Sequence, residues 1–406
     1  MRYFILLSLL LTSIAFGQDC DCKQDLDAYF TQAQELISYQ RGMSKDQQAA
    51  LAQRHQELVA NLSCEESVME CFLKVADLNS IIPDEHARLY SRSGVRLSAD
   101  SPVDEVARFR ESAFYQSIPK LTEEELNTLE QGMAQVPAAS KEGIYYTDGN
   151  RVAVTETADG RFAFYALDPI GLRQPGELMA MNTQLDGTRH NIVYVTGSYS
   201  SLVQASYQHY DSGYWTLYNM HKDKNASFPY LPSRPDENYW MKTLLDDVTY
   251  VRFGSFSGSD ENVSEAKAFI KQIAEIETPY LIMDFRNNTG GTWSISKPLK
   301  KVLKKLLKKK KTYVMVNYLS GSNGETTPHE IRDYGEVYIV GKPTMGAIGY
   351  GTNYGTVVSL PSERISYTLT DMYFKKFVQY ESQGIPLDHE LSLDRDWIEQ
   401  VLEMMK

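Results

Sequence analysis

Residues 246–285 read DDVTYVRFGSFSGSDENVSEAKAFIKQIAEIETPYLIMDF. The first part, 246–255, has the β-branched and aromatic content of a strand, 261–276 is an amphipathic helix, and 280–285 is a short apolar run of the kind buried in a sheet. Strand, helix and strand in succession imply an α/β layer domain. Downstream, KPLKKVLKKLLKKKK (297–311) holds nine lysines and no acid. Its Leu299, Val302, Leu303, Leu306 and Leu307 fall on one stripe at helical spacing, which predicts a helix with one buried face. Its lysine face is either simply solvated or a contact for an acidic surface. Over the 406 residues, 41 basic and 53 acidic side chains give a net charge of −12. That balance argues against nucleic acid or an anionic membrane as the main partner.

Working back toward the N-terminus, the pattern changes twice. IYYTDGNRVAVTETADGRFAFYALD (144–168) alternates apolar and polar residues and breaks at Asp148-Gly149 and Asp159-Gly160, which are hairpin signals. Before it, Leu26, Phe30, Ala33 and Ile37 recur on one helical face, and Ser44 with Gln47 has capping-box spacing. The expected organisation is a helical N-terminal domain at 18–135, a β-rich middle domain at 140–235 and an α/β core at 240–406. Residues 1–17, MRYFILLSLLLTSIAFG, have the charge, apolar run and small-residue end of a signal peptide, so an exported, periplasmic or secreted protein is expected. Asp19 before Cys20 disfavours a lipid-modified cysteine. Export permits disulfides. Cys20 with Cys22 would close too tight a loop, so both are expected to reach Cys64 and Cys71.

Metal and nucleotide chemistry find no support in the motifs. None of the seven histidines forms HxH or HxxxH, and no glycine-rich loop ends in Gly-Lys-Ser or Gly-Lys-Thr. What remains is a set of glycine-marked turns at strand ends. Ser322, between Gly321 and Gly324 and just after the apolar run YVMVNYL (313–319), can have its hydroxyl exposed while its small neighbours leave backbone N–H groups free for an oxyanion.

Leu281–Gly291, LIMDFRNNTGG, resembles the D-x-R-N-N-x-G-G core of the tail-specific, or C-terminal processing, serine peptidase family. The later motifs follow in the same order: Ser322-Asn323-Gly324-Glu325 resembles the nucleophile turn, Gly341–Gly346 the G-x-x-T-x-G strand end, and Glu381–Asp388 the closing segment. The resemblance implies an α/β crotonase-like spiral core, a peptide or protein substrate and no cofactor. It also implies acyl transfer, with Ser322 as nucleophile and Gly290, Gly291 and Asn323 as oxyanion donors.

Two departures bear on mechanism. Ala347 stands where serine–lysine members place their base, and Lys342 lies five residues earlier in another part of the turn. The chain is more similar to the tricorn-like branch, which takes its base from a histidine before the central domain. Asp84-Glu85-His86 matches that place, with Glu381 as the supporting glutamate, and a histidine base predicts an activity rise near pH 6–7. Secondly, 100–245 contains no loop of the PDZ kind. A separate local signal, Thr327-Pro328-His329-Glu330, predicts a helix starting at Thr327 rather than at Ser322. The alternative to an enzyme is a binding protein on the same scaffold, with a cleft that holds a peptide or apolar ligand without cutting it.

Overall fold

The computed structural model describes residues 20–406 except 187–188, 227–230, 233, 235 and 354. The expected signal segment, 1–17, lies outside the described residues. No described helix is long and apolar enough to cross a membrane.

The 246–285 pattern forms as read. Val248–Phe253 and Tyr280–Asp284 are parallel strands joined by the helix Asp260–Ile273. They belong to a six-stranded sheet ordered Tyr239–Leu245, Val248–Phe253, Tyr280–Asp284, Lys311–Val316, Glu336–Gly341 and His389–Glu390. Only the first pair is antiparallel. Alternate side chains go to opposite faces: Val251, Phe253, Leu281 and Met283 pack under the helices Asp260–Ile273 and Trp293–Leu306. Tyr250, Ile282 and Met315 pack against Trp397 and Val401 of the C-terminal helix Trp397–Met404. Both faces are covered, which is why these strands read as nearly continuous apolar runs.

The lysine-rich segment is a helix over Trp293–Leu306, with Ile295, Leu299 and Leu303 buried, followed by a short 3₁₀ turn; Lys311 already belongs to the next strand. The helix therefore starts earlier and ends sooner than 297–311.

The second sheet is antiparallel throughout. Eight strands, Ser201–Asp211, Arg189–Val195, Leu178–Asp186, Phe162–Ala166, Asn150–Glu156, Gly143–Thr147, Met220–His221 and Tyr214–Trp215, close on themselves because Tyr214–Trp215 pairs back onto Ser201–Asp211. Asp148 and Gly149 both have positive φ, 48° and 82°, as a two-residue hairpin turn needs. From this ring the sheet continues outward through Leu89–Arg92, Ile365–Thr368 and Val357–Ser359. Chain from the C-terminal region thus pairs directly with the strand that follows His86.

The N-terminal helices Asp21–Ala33, Lys45–Ala60 and Val68–Asn79 pack on this sheet in one apolar core with Leu89, Val193, Leu202 and Tyr367. A buried chain of hydrogen bonds fixes the approach to residue 86. Tyr29 donates to Asn79 at 2.5 Å, and Asn79 donates to the Ala87 carbonyl at 3.0 Å and to Gln204 at 2.8 Å.

The cysteines correct the sequence expectation in part. Cys22 bridges Cys71 with 5.6 Å between Cα atoms, while Cys20 and Cys64 are not bridged. Cys22 and Cys71 face each other because both lie on the buried sides of their helices; Cys20, at the helix N-cap, and Cys64, in an exposed turn, lie with their thiols in contact but unbonded, so the pairing partners are as expected and only the second bridge is missing. The bridge encloses 49 residues of separation, and Cys71→Ser is expected to lower stability by about 2–4 kcal/mol, read as a fall in the melting temperature. An unchanged melting curve would show the bridge to be dispensable.

Candidate active site

The helix after the fourth strand of the six-stranded sheet runs from Asn323 to Ile331, with Ser322 at its N-cap. It does not start at Thr327, although the local capping signals there are strong. The reason is tertiary. Glu325, fully buried, accepts from the Ser322 N–H at 3.0 Å, the Thr344 hydroxyl at 2.5 Å and the N–H groups of Gly346 and Ala347 at 2.8 and 3.0 Å. These bonds fasten the first turn to the 344–347 strand end, and Pro328 is carried inside the helix. Burial pushes the Glu325 carboxyl up to about 7, while its four donors favour the ionised form.

Ser322 adopts φ 52° and ψ −121°, a backbone state that L-residues avoid unless their surroundings enforce it. The enforcing loop is 286–291. Gly321 donates to the Asn288 carbonyl at 2.9 Å, and Ser322 donates to the Ala347 carbonyl at 3.0 Å. Asp284, with Arg252 and Arg286, anchors the start of that loop in a buried ion-pair cluster, and Arg286 and Arg252 hold the Asp below its usual range despite burial. At Gly290, φ is 90°, and a Cβ would lie 2.6 Å from the Ser322 Cβ and 2.7 Å from the Asn323 nitrogen. Gly290→Ala is therefore expected to displace Ser322. Turnover should fall far more than the melting temperature, and equal losses of both would reduce Gly290 to a folding role.

The three backbone groups expected to face an oxyanion divide. The Gly290 N–H donates to Asn288 Oδ1 at 2.9 Å and is spent inside the loop. Among the described residues, the N–H groups of Gly291 and Asn323 have no acceptor. The Asn323 side chain donates to the Gly291 carbonyl and ties the two together, at the positive end of the helix.

His86 reaches the same place from the other sheet. It lies in the turn between the helix Val68–Asn79 and the strand Leu89–Arg92, and it lines a cleft of about 530 Å³ together with Ser322, Asn323, Gly291, Trp293, Tyr350 and Phe374. The Asp84 carboxylate shapes the turn, accepting from the N–H groups of His86 and Ala87 at 3.1 and 3.2 Å and from the Thr370 hydroxyl at 2.5 Å. Glu381 accepts from the Glu85 N–H at 2.9 Å and from Ile348 and Gly349 at 2.8 and 2.5 Å. It thus joins the His86 turn to the segment after Ala347. Donor atoms of Asp84, His86 and Glu381 lie within 4.8 Å of one another. This is the one such group among the described residues close enough to share a cation. Its carboxylates are already engaged by five backbone N–H groups and a hydroxyl, which fixes the backbone of the turn that carries His86.

Burial, with a smaller effect from Arg88, pushes the His86 imidazole down to about 4, so the ring is neutral at pH 7. Its Nδ1 is buried without a hydrogen-bond partner. Burial raises Asp84 to about 6 and, with Asp84 and Glu85 close by, puts Glu381 well above the ordinary carboxylate range. No hydrogen bond joins Ser322 to His86 in this uncomplexed site. Lys342 is turned away toward Asp211 at 3.0 Å and Glu390 at 3.4 Å, in a different cleft.

Asp84 and Glu325 were visible in the sequence only as neighbours of motif residues. Their bonds run to residues 286 and 22 positions away respectively, a distance no local pattern spans.

No family model matches the sequence, and no curated protein matches it. Solved structures similar to it include peptidases. Mature CPAF is 12% identical at a TM-score of 0.44, with 95% of this chain and 96% of that one covered. The photosystem II D1 C-terminal processing protease is 12% identical at 0.39, covering 94% and 96%. The tricorn protease is 11% identical at 0.42, covering 95% of this chain and 36% of that one. The chemistry proposed below rests on the geometry of this chain.

Proposed function

We propose that the protein is an exported serine peptidase that cleaves peptide bonds through an acyl-enzyme on Ser322. The observation that carries this reading is the enforced φ of Ser322 at a helix N-terminus, in a cleft that also holds a neutral His86. The Ser322 oxygen attacks the substrate carbonyl carbon while the His86 ring accepts the hydroxyl proton; the same ring then protonates the leaving amine. Gly291 and Asn323 supply N–H donors to the developing oxyanion, each typically worth about 2.7–4 kcal/mol. Glu381 and Asp84 hold the His86 turn. Export follows from the 1–17 segment, and a crotonase-like spiral core is part of the same reading. A fluorophosphonate probe tests it, because it labels an activated serine. Labelling of the wild type but not of Ser322→Ala supports the peptidase. An unlabelled, folded wild type would leave the cleft as a binding site only.

A further inference from the structure

The helix Trp293–Leu306 and the turn after it carry a charge pattern that the proposed chemistry does not use. Lys297, Lys301, Lys304, Lys305, Lys308 and Lys309 are all exposed, and none makes an ion pair among the described residues. The neighbouring lysines differ: Lys300 pairs with Glu330, Lys311 pairs with Glu336, and Lys310 donates to the Thr278 carbonyl. The opposite side of the helix is locked into the core by Ile295, Leu299, Leu303 and Leu307, so the lysine face is held outward. At about 100° per residue, the six positions spread over roughly 140° of the helix surface, and Lys297 to Lys308 span about 16 Å along the axis.

We propose that this face docks the protein on a membrane surface rich in anionic phospholipid headgroups. Charge complementarity favours it. Six unpaired cations stand together on a chain whose net charge is −12, so this face is the one attracted to an anionic plane while the acidic balance elsewhere is repelled. The face is broad and convex, without walls to hold a single polymer strand. It carries no arginine, so it offers point charges without the fork geometry of specific phosphate recognition. Pro298 is the one exposed apolar side chain in the sector, and it is too small to insert, which makes the contact electrostatic and reversible. The helix starts at the cleft: Trp293 lines it, and the Lys297 and Lys300 ammonium groups lie 5.8 and 5.0 Å from its ring. Docking would therefore set the cleft rim beside the surface and favour peptides presented there. This last step rests on the peptidase reading; the docking itself does not.

The test is co-sedimentation with vesicles of equal parts phosphatidylglycerol and phosphatidylcholine, against pure phosphatidylcholine. The full chain is expected to partition onto the anionic vesicles in about 0.05 M salt and to be released at about 0.5 M. The variant K301Q/K304Q/K305Q/K308Q should bind at least about tenfold more weakly, with unchanged melting and unchanged cleavage of a soluble peptide. K304Q/K308Q should fall between the two, which keeps the test decisive if the fourfold variant misfolds. Ser322→Ala should bind like the wild type, so failure of the peptidase reading leaves docking intact. Equal binding of wild type and lysine variants, no binding to anionic vesicles, or binding to sulfated dextran alone would each overturn the proposal.

Discussion

Ser322→Ala is expected to lower kcat by about 10⁶-fold and to abolish fluorophosphonate labelling while leaving the melting temperature close to that of the wild type. The separation of the two effects follows from how Ser322 is held. Four backbone bonds hold the turn: the Ser322 N–H donates to Ala347 and Glu325, and its carbonyl accepts from the N–H groups of Glu325 and Thr326. None of these requires the hydroxyl. Alanine at φ 52° is strained no more than serine, so the turn survives and only the nucleophile is lost. Full hydrolysis by this variant would remove Ser322 from the mechanism.

His86→Ala should cost about 10²–10⁴-fold in kcat/KM, the usual contribution of a positioned general base. The pH dependence identifies the group more sharply. Protonated imidazole cannot accept the serine proton, so log kcat/KM rises with pH through the His86 pKa and then levels off. The sequence alone expects that rise near pH 6–7. Burial has moved it to about 4, so protonation of the imidazole no longer limits activity at neutrality, and a step that remains near pH 6–7 would belong to Asp84 or Glu325. Lys342→Ala should change little, since Lys342 is paired with Asp211 and Glu390. An inactive Lys342→Ala beside an active His86→Ala, with activity still climbing above neutrality, would move the base to a lysine.

Some of the site could be read along the chain and some could not. Gly290 and Ser322 were marked by their turns, because a glycine at a strand end and a serine between glycines are local signals. The allocation of the oxyanion donors was not local. Gly290 looks as available as Gly291 until the Asn288 side chain is placed and takes its N–H. The start of the nucleophile helix escapes the local rules for a related cause. Thr327-Pro328 satisfies every near-neighbour rule for a helix start, yet four donors from Ser322, Thr344, Gly346 and Ala347 converge on Glu325 and draw the helix back by a full turn.

By itself the sequence determined the α/β core, because strand and helix periodicities are short-range consequences of which face of each element must be buried. It also determined the hairpins at Asp148-Gly149 and the amphipathic lysine helix, where a few adjacent residues dictate the backbone. Tertiary structure alone decided the closure of the middle strands into a ring, since Tyr214–Trp215 pairs with a strand by backbone bonds that carry no side-chain signature. It alone chose Cys71 for Cys22, by turning both onto buried helix faces. And it alone brought His86 and Glu381 to Ser322. Those residues belong to different parts of the chain, and the strand Ile365–Thr368 crosses to pair beside Leu89–Arg92, carrying the two ends of the site together through hydrogen bonds that either strand could have made elsewhere.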